Sequence, residues 1–138
     1  MTEITFEYWN KLADQTITIS SLLGGFSIAI IANFLVSETK TRLTNNIMAA
    51  STLAASFFLV TVFAMTKLLM MTTEGYPIKV VDNDLILPRI IGVIAFLFGI
   101  ISLLTMISIA GWTKSKKMGK FTTMIGILTF LLILIMLT

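Results

Sequence analysis

The chain has 138 residues, of which 57% are hydrophobic and 12% charged, and its formal net charge is +3. A soluble domain carries about 25% charged residues, so the composition excludes an ordinary soluble protein and predicts an integral membrane protein. The sequence contains neither cysteine nor histidine, which excludes disulfides, thiolate metal sites and histidine-based catalysis. We therefore expect no enzymatic activity, no cofactor and no metal site.

Four uncharged runs predict four membrane spans. No Asp, Glu, Lys or Arg occurs in residues 15–37, 43–66, 90–113 or 121–138. A helix rises about 1.5 Å per residue, so about 20 apolar residues cross a hydrocarbon core of about 30 Å. We expect a single membrane domain, residues 1–138, with an all-α fold that forms a four-helix bundle. Its spans are predicted over about 15–37, 46–71, 89–112 and 120–138.

The segment before the first span predicts a short helix at the membrane surface. Phe6, Trp9 and Ala13 recur at helical spacing, and we place this helix over about 3–14. Its aromatic residues are expected to lie in the belt that fixes a protein's depth in the bilayer. A gating or partner-docking helix is the alternative for this segment.

Small residues mark the first three spans. In the first, Ser21, Gly25, Ala29 and Asn33 repeat every four residues, and spans two and three contain similar patterns. Small residues at this spacing let helices approach closely in lipid, where association relies on packing. The fourth span is bulky and aliphatic almost throughout after Gly126, and we predict that it faces lipid.

The change from a small, polar first span to an aliphatic fourth span predicts an oligomer. The first span has no clearly aliphatic face, which favours burial on all sides at the centre of an assembly. We therefore predict a symmetric homo-oligomer with span one innermost and span four outermost. An axis lined by small or polar side chains can hold water.

Residues 22–33, "LLGGFSIAIIAN", resemble the first transmembrane helix of the Orai family, the pore subunits of store-operated calcium channels. In that family a small-Gly-Phe triplet is followed by aliphatic and small residues and then by a pore-lining acid. A weaker similarity extends to "ASFFLVTVFAM" in span two and to "IIGVIAFLFGIISLLTMISIAGW" in span three. The resemblance implies a ring of subunits with span one lining the pore and span four outermost.

The resemblance also implies roles for single residues in span one. It places the family's glycine hinge at Gly25 and its gating phenylalanine at Phe26. Asn33 stands where the family has its filter acid, and Ca²⁺ sites usually include carboxylates, so we expect weak selectivity and no calcium selectivity. Thr18 stands where the family has a basic residue. The full set of implied pore-lining positions is Thr18, Leu22, Gly25, Phe26, Ala29 and Asn33.

The charges of the loops predict an orientation in the cell membrane. Four basic and six acidic residues lie on the side of the two termini, whereas six basic and one acidic lie on the other side. The positive-inside rule then places loops 38–45 and 113–120 in the cytoplasm and the termini outside. The Orai family has the reverse orientation, so these two predictions conflict. The six basic residues are interpreted as a charged pore mouth or as lipid headgroup contacts: Lys40, Arg42, Lys114, Lys116, Lys117 and Lys120.

Several functions remain open from the sequence. We expect an oligomeric ion channel or pore subunit, and the alternative is a small scaffold or accessory subunit that packs against other membrane proteins. A coupled transporter is a weaker candidate because it would need an ionisable group at the membrane midplane, and a membrane enzyme is weaker still. The expected partners are the lipid bilayer, copies of this chain and, for a scaffold, an unidentified protein. Nucleic acid is not expected to bind.

Overall fold

Four helices build the fold in a computed structural model, which describes residues 6–38 and 40–138. Each of them is long and apolar enough to cross a membrane. The prediction of an all-α fold with four helices able to span a membrane is therefore confirmed. The helices are α1 (Phe6–Val36), α2 (Arg42–Thr72), α3 (Asp82–Trp112) and α4 (Lys116–Leu137).

Side chains in or beside the loops cap the next three helices. Before α2, the N–H of Thr44 donates to Thr41 Oγ1 at 3.2 Å, and the N–H of Thr41 donates to Thr44 Oγ1 at 2.9 Å. The N–H of Val81 donates to the Asp84 carboxylate at 3.0 Å at the start of α3, and Ser115 caps α4. These caps satisfy backbone donors that a helix start leaves unpaired. The caps therefore help to define where α2, α3 and α4 begin.

The helices form an antiparallel row. Helix α1 packs on α2, α2 on α3, and α3 on α4, while helices that are not consecutive make few contacts among the described residues. The four predicted helices therefore form a row in which each packs mainly on its neighbours in the chain. The buried positions of α4 are Gly119 and Gly126, and both lie against α3.

The core is centred on Phe58 of α2, whose exposed fraction is 0%. Its side chain lies between two glycines of the flanking helices. A Cβ atom on Gly24 of α1 would lie 3.3 Å from Phe58 Cβ, and one on Gly99 of α3 would lie 2.8 Å from the Phe58 ring. The two glycines therefore leave the room that this phenylalanine fills, which is how small residues permit close helix packing in lipid.

Helix α1 is continuous where the sequence predicted a separate interfacial helix. It has 31 residues, a length of about 46 Å, which exceeds a hydrocarbon core of about 30 Å. No Gly or Pro occurs in residues 6–20 to interrupt it. Ala13 is fully buried in one cluster with Met65, Leu68 and Leu85, which holds the extension straight against α2. Residues 3–5 of the predicted segment lie outside the described residues.

One side-chain amide fastens the beginning of α1 to the end of α2. Asn10 Nδ2 lies 3.2 Å from the Leu69 carbonyl oxygen, 3.2 Å from Thr72 Oγ1 and 3.1 Å from Thr73 Oγ1. We expect Asn10→Ala to lower the free energy of unfolding by about 1–2 kcal/mol, because each intramolecular hydrogen bond contributes about 0.5–1.5 kcal/mol. Detergent titration followed by circular dichroism measures the change.

Lys11→Ala is the matched control for this prediction. The Lys11 side chain is exposed, and among the described residues it pairs only with Glu7, at 3.0 Å. An exposed ion pair contributes little to stability. The control should therefore change stability by less than about 0.5 kcal/mol. Equal losses in the two variants would contradict the role assigned to the amide.

Candidate functional site

The residues predicted to line a pore lie together on one face of α1, which we call the outer face. Their spacing of three or four residues places them on one side of the helix. The opposite side packs on α2 and contains the buried residues Ala13, Ser20, Gly24 and Ser27. The members of the outer face are all exposed in the single chain: Thr18, Leu22, Gly25, Phe26, Ala29 and Asn33.

The paired glycines of α1 differ in what surrounds them. Gly24 is buried against Phe58, whereas a Cβ atom on Gly25 would meet no other part of the described chain within 4 Å. Glycine inside a helix costs about 1 kcal/mol relative to alanine. Packing on α2 explains this cost at Gly24, but nothing within the described chain explains it at Gly25.

Polar groups lie toward the two ends of the outer face. Thr18 Oγ1 donates to the Asp14 carbonyl oxygen at 3.0 Å, which satisfies this hydroxyl within α1. No hydrogen bond among the described residues involves the Asn33 amide, which has two N–H donors and a carbonyl acceptor. Because an unpaired polar group is costly in lipid, this amide requires water or another molecule as its partner.

Large apolar side chains lie between those polar ends. Leu22 is 70% exposed and Phe26 is 60% exposed, and the small residues Gly25 and Ala29 lie beside them on the same helix. In a single chain both large side chains would contact lipid. Around an axis of symmetry they would form an apolar constriction of the kind that gates by excluding water.

The six basic residues of the two loops lie in two separate places in the row of helices. The antiparallel order puts the α1–α2 and α3–α4 loops at the same end of the helices, which is also the end where Asn33 lies. Lys40 and Arg42 follow α1 directly, whereas the other four, Lys114, Lys116, Lys117 and Lys120, lie near α4 at the far edge of the row. Only the first two therefore neighbour the outer face within one chain.

A contact between Trp9 and Arg89 joins α1 to α3 and was not foreseen from the sequence. The guanidinium carbon of Arg89 lies 3.7 Å from the Trp9 ring centroid, which is a cation–π geometry. Arg89 Nε is buried without a hydrogen-bond partner among the described residues. The pairing requires α1 to continue beyond its predicted membrane span, which the absence of Gly and Pro in residues 6–20 permits, but no local sequence pattern places Arg89 beside Trp9.

Comparisons with known proteins assign neither a family nor a function to the chain. No family model, no curated protein and no solved structure matches the chain. Within residues 6–38 and 40–138 there is also no cluster of three or more Asp or Glu side chains able to hold a metal ion. The Orai resemblance and the functions drawn from it therefore stay predictions that rest on the residues of α1 to α3.

Proposed function

We propose that this protein is a subunit of an oligomeric membrane channel or pore, in which copies of α1 surround the axis with their outer faces toward it. The observation that carries the proposal is Gly25, a glycine on an exposed helix face with open space around it. A neighbouring copy of α1 would give this glycine the close-packing role that Phe58 gives to Gly24.

The order of helices in the row supports this arrangement. Helix α1 is at one edge of the row and α4 is at the other, so a closed ring can place the first at the axis and the second at the periphery. The side chains exposed on α4 suit contact with lipid, since they are mostly aliphatic or methionine, such as Met124, Ile127, Leu128, Leu131 and Ile135. The Orai resemblance implies the same order.

The outer face suggests how such a pore would behave. Leu22 and Phe26 would form its apolar constriction, and Asn33 would place a ring of neutral amides near one mouth. Amides lack the charge of the carboxylates that commonly bind Ca²⁺. Lys40 and Arg42 at that mouth would favour anions, within a screening length of about 8 Å at physiological salt. The proposed pore is therefore weakly selective.

Stoichiometry and bilayer recordings test the proposal. The purified protein should form a stable ring and conduct ions. Asn33→Asp should raise the cation-to-anion permeability ratio several-fold because it adds one carboxylate per subunit near the mouth, and Phe26→Ala should raise the conductance because it widens the constriction. Asn46→Asp is the matched control, since it adds the same charge on α2 near the same end of the helices and should leave the ratio unchanged.

Two outcomes would overturn the channel assignment. One is a monomer in detergent and in lipid. The other is a silent bilayer with the wild type and both α1 variants.

A scaffold or accessory subunit is the second candidate. The exposure of Leu22 and Phe26 on a face that no other described part of the chain covers supports it. In this case the outer face packs against a different membrane protein. A monomer that conducts no ions, together with a membrane protein that copurifies with the wild type and not with Gly25→Leu, would support this candidate over the channel.

A further inference from the structure

A groove of about 410 Å³ runs along the seam between α3 and α4, on the far side of the row from the outer face. Its wall extends from Trp112 to Ile101 on α3, a distance of about 16 Å along the helix axis. This is about half of a hydrocarbon core of about 30 Å. The groove therefore has the length that one acyl chain occupies within a single leaflet.

The mouth of the groove is fixed by hydrogen bonds. Trp112 Nε1 donates to Thr123 Oγ1 at 3.0 Å, and Thr122 Oγ1 donates to the Ser108 carbonyl oxygen at 3.0 Å. Deeper in the membrane Gly126 lets α4 approach α3 closely, because a Cβ atom there would collide with the Ser108 hydroxyl, and both residues line the groove. The groove therefore lies between two helices that hydrogen bonds hold together.

Two lysines lie beyond this end of the groove, toward water. Lys116 and Lys120 precede Thr123 by seven and three residues, so they lie on the same side of α4 as the groove, one to two turns nearer to water. Both are exposed. In the part of the chain that the structure describes, the one ion pair present joins Lys11 to Glu7, so no carboxylate neutralises these two lysines.

We propose that the α3–α4 groove binds an anionic phospholipid, with its phosphate at Lys116 and Lys120 and one acyl chain along the apolar wall. The two observations that carry this assignment are independent, since one is the pair of uncompensated charges and the other is the length and apolar lining of the groove. Ammonium groups bind phosphate as point charges, and anionic headgroups attract lysines at the membrane surface. A zwitterionic lipid would place the same acyl chain in the groove but has no net charge for the two lysines to attract.

Tryptophan quenching by brominated lipids tests the site. The chain contains two tryptophans, so Trp9→Phe leaves Trp112, in the wall of the groove, as the only reporter. In phosphatidylcholine vesicles, brominated phosphatidylglycerol should reach half-maximal quenching of Trp112 at a mole fraction about tenfold lower than brominated phosphatidylcholine does, because two lysines act on its charge. The full chain with Trp112→Phe, which reports from Trp9 instead, should show no such preference.

Two double variants separate a defined site from diffuse attraction. Lys116→Gln with Lys120→Gln and Lys114→Gln with Lys117→Gln remove equal charge from the same exposed cluster. The first pair should abolish most of the tenfold preference, whereas the second should change it by less than about twofold. Equal losses, or no preference in the parent protein, would overturn the proposal.

A third variant tests the position of the lipid's acyl chain. Thr105→Phe narrows the groove without changing the charge, so it should weaken quenching by both brominated lipids. Unchanged quenching would show that the acyl chain lies elsewhere and would overturn the assignment of the groove.

Discussion

Phe58→Ala should destabilise the folded chain by about 3 kcal/mol, the largest loss that we expect from one side chain. Phe58 is fully buried, with its Cβ atom near Gly24 and its ring against Gly99, so removal of the ring would leave a cavity beside α3. Glycines have no side chains that can move into the cavity. The free energy of unfolding can be measured by detergent titration with circular dichroism as the readout.

Phe63→Ala is the control for that measurement. It removes the same side chain from the same helix at a position that is 69% exposed, so it should change stability by less than about 0.5 kcal/mol. A comparable loss at both positions would mean that Phe58 is not the centre of the packed row.

Gly25→Leu should disrupt assembly while leaving the fold of each chain intact. If a second copy packs at Gly25, a leucine there costs about 1–3 kcal/mol of overpacking at each interface, which is a roughly tenfold to hundredfold weaker association. The single chain has open space at this position, and leucine favours the helix over glycine by about 1 kcal/mol. Sedimentation or native mass spectrometry of the detergent-solubilised protein measures the shift toward monomer.

Gly24→Leu should instead lower the stability of the folded chain, because the leucine side chain would collide with Phe58. The comparison therefore separates loss of assembly from loss of fold. If Gly25→Leu assembles as well as the wild type does, the outer face of α1 is not an interface between subunits, and the proposed pore is wrong.

The four helices could be predicted because the absence of charge over twenty or more residues is a local property of the sequence. The arrangement of the helices could not. In a membrane both the packed and the lipid-facing sides of a helix are apolar, so no amphipathic pattern identifies the buried side. Gly24 and Gly25 are adjacent and alike in the sequence, and only the position of Phe58 distinguishes the packed glycine from the exposed one.

The six positions of the outer face come from the family resemblance, and their role in lining a pore stays a prediction. In α1 all six lie on one exposed side of the helix. The contact between Trp9 and Arg89 and the groove beside Trp112 depend on how α1 continues and how α3 meets α4. Contacts between residues that are far apart in the sequence cannot be predicted from residue spacing.

The two ends of α1 are held to the rest of the row by different kinds of contact. Near its beginning, Asn10 and Trp9 fasten it through hydrogen bonds and a cation–π contact. Near its end, Ile30 and Phe34 pack only through apolar surfaces, which can slide without breaking a directional bond. A tilt of α1 about its hydrogen-bonded beginning would therefore displace Asn33 further than Trp9.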